Sequence, residues 1–507
     1  MSRDAFSCDT LRLSPADNVA VVKRFIKSGT EIAPGVLAAR DIAPGHKIAL
    51  AAVSEGNAVV KYGQIIGFAR GNIAPGDHVH VHNLMLKDFG RDYNFCADAK
   101  PIQYYPAEKM RTFQGFARED GRAGTRNYVA VISSVNCSAS VSQYVAERFR
   151  GGDFARDFPN VDGVIAFTHK TGCAIAMDEP YALLQRVLAG IARHANISSY
   201  VLIGLGCETN QVEYLIKNQG LGAPVAMTIQ KTGGVRKTVD AATEAVKKLL
   251  PVANALKRTA QPISKLILAE NCGGSDGNSG ITANPALGVA SDELVRYGAT
   301  SVLAETPEIY GAEHLLTRRA VSREVGEKLV SLIHWWEAHA KAHNATIDNN
   351  PSPGNKEGGL TTIYEKSLGA VAKGGQSPLA AVYKYAEPIT TPGFCFMDTP
   401  GYDPVSMTGL VAGGCNIGVF TTGRGSVYGC KPAPCIKIAT NTALFNHMSD
   451  DMDLNAGTIL DGTETLEAVG ARIFEKILSV ASGEKTKSEL CGIGDAEFAP
   501  WMLGPTF

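Results

Sequence analysis

The 507-residue chain reads as an α/β protein in which a small β-rich N-terminal module precedes parallel-sheet α/β domains. Two patterns point there. Up to about residue 105, Pro-Gly turns punctuate short apolar runs, whereas from about residue 128 nearly continuous apolar runs alternate with longer helical patterns. Length adds a third observation, since at roughly 150 residues per domain the chain holds about three. We place the β module at 1–105, a first α/β domain at 106–255 and a second at 256–507.

In the module, Ile-Ala-Pro-Gly recurs at 32–35, 42–45 and 73–76. Pro at the second turn position and Gly at the third suit a type II turn, because Gly takes positive φ without strain, so each copy is a chain reversal. Lys47–Leu50 and Val79–His82 read as strands between the reversals. His78, His80 and His82 alternate and so share one strand face. That spacing serves a metal or belongs to an exposed edge strand, and the edge strand is the preferred reading. His46, directly after the Pro44-Gly45 turn and beside Lys47, is displayed on a reversal.

The α/β layering follows from the runs at 129–132, 163–167 and 201–205, with another at 265–269. Runs this short and continuously apolar suit strands covered on both faces. Helical patterns at 179–194 and 238–250 separate them, which argues for βαβ units. Residues 343–376, rich in Asn, Pro and Gly, read as a long ordered loop or domain junction. Runs at 394–397, 417–420 and 436–439 then extend the α/β layering.

Composition narrows the function. Lys plus Arg total 49 against 50 Asp plus Glu, with no long block of one sign, which argues against a nucleic-acid or anionic-membrane partner. No run of about eighteen apolar residues is present, so no spanning helix is expected. The opening residues carry charges and no apolar signal core, and a cytoplasmic location is expected. The 11 cysteines are then expected to be reduced.

Cys137, Cys173, Cys207 and Cys272 each follow an apolar run and sit among small or polar residues. Ligands of open parallel sheets bind beyond the carboxyl ends of strands, so four thiols converging on one crevice are expected, with at least three of them holding a metal or cluster. Core filling and redox chemistry are the alternatives. His169, in Thr-His-Lys-Thr-Gly-Cys, shares that strand end. The glycine-rich loop 272–280, containing Ser275 and Asn278, and the stretch 421–426 around Arg424 look built to hold a carboxylate. Gly204-Leu205-Gly206 lacks the third glycine of a dinucleotide fingerprint, and NAD is not expected. Cys430 and Cys435, with Cys415 nearby, read as structural.

Several stretches together resemble the altronate and galactarate dehydratase family. They are Asp120–Tyr128, Ser134–Ser138, Gly204–Glu208, Cys272–Gly277, Pro351–Lys356 and Phe420–Gly425, together with an N-terminal module similar to the SAF domain, whose landmark is Gly45-His46-Lys47. Met397–Pro404 and Gly429–Pro432 look closer to altronate dehydratase than to galactarate dehydratase. The resemblance implies an iron-dependent lyase, with Fe2+ or an iron–sulfur cluster, that converts D-altronate to 2-dehydro-3-deoxy-D-gluconate. Galactarate and a sulfonated hydroxy acid remain open as substrates. An iron–sulfur electron carrier, a thiol redox protein and a non-catalytic sugar-acid binder also remain. Dehydration requires a base for the C2 proton, for which His46, Lys47 and His169 are the candidates, and a cation for the carboxylate, Arg126 or Arg424. The expected partners are the small sugar acid and a second copy of the chain in a dimer.

Overall fold

The computed structural model describes residues 9–504 and 506, so the first eight residues of the opening stretch behind the cytoplasmic expectation lie outside the described residues. The N-terminal module is built from small antiparallel sheets. Thr10–Leu11, Val19–Val22, Lys47–Ala49 and His78–Val79 form one, and Ala58–Lys61, Gln64–Ala69 and Leu84–Met85 form another. At all three Pro-Gly reversals the glycine takes positive φ, 77° at Gly35, 82° at Gly45 and 86° at Gly76. The histidine strand is shorter than the alternation suggests. It ends at Val79, and the Asn83 side chain accepts the His80 N–H to start a turn. Residues 86–111 then run with little regular structure to the next sheet.

The middle domain carries a four-stranded parallel sheet in the order Gly163–Phe167, Tyr128–Ser133, Ile197–Gly204, Val225–Thr228. Val129 and Val131 pack on one face against the helices Ala139–Glu147 and Val235–Ala255. Ala130 and Ile132 pack on the other face against Glu179–Ala192 and Val212–Gln219. Both faces are covered, which is why the run carries no polar alternation.

The run at 265–269 does not join that sheet. As Ile267–Cys272 it is the central strand of a seven-stranded parallel sheet, ordered Leu379–Tyr383, Gly393–Met397, Thr300–Leu303, Ile267–Cys272, Ile417–Thr422, Cys435–Ala439, Leu454–Asn455. The chain leaves the central strand toward Thr300–Leu303 and later returns on its other side at Ile417–Thr422. The strand order therefore reverses between 267–272 and 417–422.

Residues 343–376 form no open junction. They contain the helices Pro353–Glu357 and Ile363–Ala370, the first held by a Ser352–Asn355 capping box. Tyr364, Glu365, Lys366 and Lys373 from this segment are buried. Among the described residues no helix is long and apolar enough to cross a membrane.

Candidate active site

The reversal of strand order is where an open parallel sheet leaves a crevice at its carboxyl edge. Cys272 ends the central strand there, Glu305 and Glu308 follow Thr300–Leu303, and Asp403 follows Gly393–Met397. The buried helical segment supplies Lys366 and Lys373 from above. Lys373 Nζ donates to Cys272 Sγ at 2.9 Å and lies 3.8 Å from Glu305 Oε2. The Cys272 thiol lies 3.5 Å from Glu308 Oε2, and Lys366 donates to Glu308 Oε1 at 2.6 Å and to Asn350 at 2.7 Å.

Glu305 is the outlier of this group. Its backbone is left-handed, with φ 70°, and neither buried carboxylate oxygen has a hydrogen-bond partner. A non-glycine residue in that region costs of order 1–3 kcal/mol, and an unpartnered buried carboxylate adds to it. Burial and the neighbouring Glu308 raise the Glu305 carboxyl well above the usual range. Burial works against Glu308 too, but Lys366 and Lys373 hold it below that range. Burial pushes the Cys272 thiol up to about 12, and burial with Glu308 pushes Asp403 up to about 6. The site therefore sets an ionised carboxylate beside a protonated one, the arrangement that serves acid–base chemistry.

The N-terminal module closes over this edge. A Cβ on Gly277 or Gly359 would collide with the Gly45 carbonyl, so three backbones meet with no side chain between them. That contact turns His46 outward and Lys47 inward. Lys47 Nζ donates to Gly359 O at 2.6 Å and to Glu365 Oε2 at 2.9 Å, and Lys61 reaches Glu365 Oε1 at 2.9 Å. Burial lowers Lys47 to about 8 against the pull of Glu365. Lys47 thus joins module to body and does not face an open cleft. Tyr62, Ser275, Asp276, Glu365 and Lys366 line a narrow cavity that connects this triad with Cys272.

His46 sits on the outer rim. Its Nδ1 is 3.0 Å from His78 Nε2, its Nε2 meets the Glu357 carbonyl at 3.1 Å, and His80 Nε2 meets the Lys356 carbonyl at 2.9 Å. The ring of His82 lies 5.5 Å from that of His78. Burial, reinforced by the neighbouring imidazoles, lowers His78 to about 3. The alternating histidines therefore form a neutral cluster against the body, not an exposed edge.

Arg424 lies beside this rim, with its backbone N–H on Gly274 O at 2.8 Å and its side chain 47% exposed and paired with Glu357 at 3.1 Å. Ser275 lines the cavity, and Asn278 has a buried side-chain oxygen without a partner. The 272–280 loop is not a vacant anion cradle. The N–H groups of Gly273, Asp276, Gly277, Asn278 and Ser279 all bond within the protein, and the Asp276 carboxylate accepts from Asn278, Ser279 and Thr440.

Two expected site residues are placed elsewhere. Arg126 is buried and fully engaged, with Glu489 at 2.7 and 2.8 Å and the carbonyls of Thr125, Val480 and Glu484 at 2.8 Å each. A guanidinium so committed clamps the middle domain to the C-terminal segment. His169 spends both ring nitrogens on the backbone, Nε2 on Ser133 O at 3.0 Å and Nδ1 on the Thr171 N–H at 3.3 Å. Burial lowers it to about 4, so it stays neutral and tied.

The four thiols do not share a crevice. Cys137, Cys173 and Cys207 are exposed at adjacent strand ends of the middle sheet, whereas Cys272 is buried at the end of a strand in the other sheet. Glu305, Glu308, Lys366, Lys373 and Glu365 were not legible as site residues. A sequence signal was available, because Lys366 and Lys373 stand seven apart with no other cation between them, a spacing that returns to one helix face.

Comparison with known proteins covers nearly the whole chain. Residues 8–87 match the altronate/galactarate dehydratase SAF domain, 115–254 the D-galactarate dehydratase/altronate hydrolase second domain, and 263–506 the D-galactarate/altronate dehydratase C-terminal domain. Altronate dehydratase of Bacillus subtilis (strain 168) is 35% identical over 491 residues, covering 94% of this chain and 96% of the relative. Galactarate dehydratase (L-threo-forming) of Escherichia coli (strain K12) is 37% identical over 487 residues, covering 94% and 93%. Altronate dehydratase of the same strain is 35% identical over 484 residues, covering 94% and 96%. Matched in this way from module to C-terminal domain, the chain belongs to the altronate/galactarate dehydratase family and is a carbon–oxygen lyase.

Proposed function

We propose that the enzyme removes water across C2 and C3 of a sugar acid, D-altronate, to give 2-dehydro-3-deoxy-D-gluconate, with iron as its cofactor. The observation that carries this reading is the buried group at the strand-order reversal, where Glu305, raised by burial, stands beside ionised Glu308 under a rim bearing Arg424. Arg424 would hold the substrate carboxylate with its planar fork. A neutral imidazole of the rim, His46 or His80, would take the C2 proton.

The residues also fit the metal. One donor atom each from Cys272, Glu305 and Glu308 lie within 4.8 Å of one another, the only such trio of His, Cys, Asp or Glu among the described residues. A thiolate with two carboxylates suits ferrous iron, and the unpartnered oxygens of Glu305 supply free donors. Iron bound there would act as a Lewis acid on a substrate oxygen.

The test is turnover of altronate, galactarate and sulfolactate in one assay, repeated on Arg424→Lys. Altronate is expected to be the best substrate, and the variant to raise KM about tenfold, near 1.4 kcal/mol for one lost charge-assisted hydrogen bond. Preference for galactarate or sulfolactate would overturn the substrate, and unchanged kinetics in the variant would remove Arg424 from the site.

A further inference from the structure

Three exposed thiols stand in the middle domain, in a different sheet from the site just described. Free cysteine is among the most buried residue types, yet Cys137, Cys173 and Cys207 are all exposed. They follow Tyr128–Ser133, Gly163–Phe167 and Ile197–Gly204, three strands that are side by side and parallel, so the thiols stand along one edge.

The residues next to them are locked together. The Asn136 N–H donates to Thr171 O and the Asn210 N–H to Gly172 O, both at 3.0 Å, while the Asn210 side chain donates to Ser134 O at 2.9 Å. Glu208, buried, accepts from Ser134 Oγ at 2.8 Å and from the N–H groups of Leu205 at 3.1 Å and Gly206 at 2.5 Å. Each cysteine is thus adjacent to a pinned residue: Cys137 to Asn136, Cys173 to Gly172, and Cys207 to Gly206 and Glu208. A rigid buried scaffold presenting three open thiols is the reverse of what a core cysteine needs. Gln230 adds a hydrogen bond to Cys207 Sγ at 3.3 Å, the kind of donor that tunes a ligating sulfur.

The donor set of three thiols suits a soft metal or a cluster. The three sulfurs do not fall within 4.8 Å of one another, so they are too wide apart to close on a single ion. A cluster, whose thiolates bind different irons, takes the wider spacing. We infer that Cys137, Cys173 and Cys207 hold an iron–sulfur cluster, leaving one iron without a protein ligand and open to an oxygen of water or of a hydroxy acid. The Asn136–Ser138 turn, which carries Cys137, leads directly into the helix Ala139–Glu147.

The experiment is anaerobic reconstitution of the full chain with ferrous iron and sulfide. It is followed by iron and acid-labile sulfide counts, the visible spectrum, and electron paramagnetic resonance after reduction. We expect about five irons and four sulfides, four of each on a cubane held by three thiolates and one iron at Cys272, Glu305 and Glu308, with a broad charge-transfer absorbance. Cys137→Ser, Cys173→Ser and Cys207→Ser should each lose the sulfide and the absorbance while keeping their circular dichroism. Cys272→Ser and Cys491→Ser should keep both. Iron without sulfide, or sulfide retained in the three Ser variants, overturns the cluster. Lyase turnover on the same samples separates this result from the sugar-acid reading, since a cluster bound to an enzyme inactive on altronate leaves the inference standing.

Discussion

Two parallel sheets in this chain carry thiols at the same topological place, and they treat them in opposite ways. At the edge of the middle sheet, Cys137, Cys173 and Cys207 are exposed, and the buried polar groups serve only to hold the loops still. At the edge of the seven-stranded sheet, Cys272 is buried under Lys373, with Glu305, Glu308 and Lys366 around it. The first edge presents open thiols, and the second perturbs protons. The difference comes from what covers each edge, because the buried 353–374 segment and the N-terminal module close only the second.

The largest contrast should appear in thiol reactivity. With metal removed, Cys137, Cys173 and Cys207 should be alkylated on mixing, whereas Cys272 should wait for unfolding, a rate ratio of at least about 10³ for an ordinary folded domain. Mass spectrometry of timed digests reads this directly, and early labelling of Cys272 would show that the second edge opens.

Next in size is Lys373→Met, which strips the ammonium from between Cys272 and Glu305. Turnover is expected to fall about 10²–10³-fold, as when one fixed charge donor is lost from a site. Stability should fall by about 3–5 kcal/mol, because breaking a buried ionic pair leaves its partners uncompensated. Urea unfolding beside steady-state kinetics separates the two effects, and a stable, active variant would deny the second edge its special role.

The smallest effect concerns the cover. Burial opposes ionisation of Glu365, but Lys47 and Lys61 hold its carboxyl well below the usual 4.5. Its folded value is depressed, so its contribution to docking is present above pH 4.5 and is lost as the pH falls toward the depressed value. Proteolysis within residues 86–111 should therefore accelerate in acid and stay flat from about pH 5 to 7, below the value of about 8 at which Lys47 titrates. Glu365→Gln should show the fast cleavage already at neutral pH. Cleavage that ignores both pH and the substitution would mean that the glycine contact alone holds the module.

Much of the architecture was legible. The Pro-Gly reversals and both parallel sheets follow from short-range pattern, because a turn or a doubly covered strand is specified by neighbouring residues. The assignment of Ile267–Cys272 to the middle sheet's rhythm failed for the opposite reason. Leu268 pairs with Ile417, and nothing near residue 268 announces a partner so distant. Residue type misled in the same way at Lys47 and Arg126. A lysine after a turn and an arginine in a polar stretch suggest exposure, but their carboxylate partners lie 318 and 363 positions away. The thiol knot was half visible, since strand-end position was readable and the division between two sheets was not.

The Arg126 clamp bears on how the chain is made. The guanidinium is buried, yet Val480, Glu484 and Glu489, which supply most of its acceptors, leave the ribosome 354 to 363 positions after it. At about 5–20 residues per second, the 363 positions between Arg126 and Glu489 represent roughly 20–70 s of synthesis. Over that interval Arg126 lacks its Glu489 partner, and the middle domain waits for the segment that brings Phe498 onto Phe167 and Thr506 onto Ile175. Birth order and folding order therefore diverge in this chain, and the middle domain, second to emerge, is among the last to be finished.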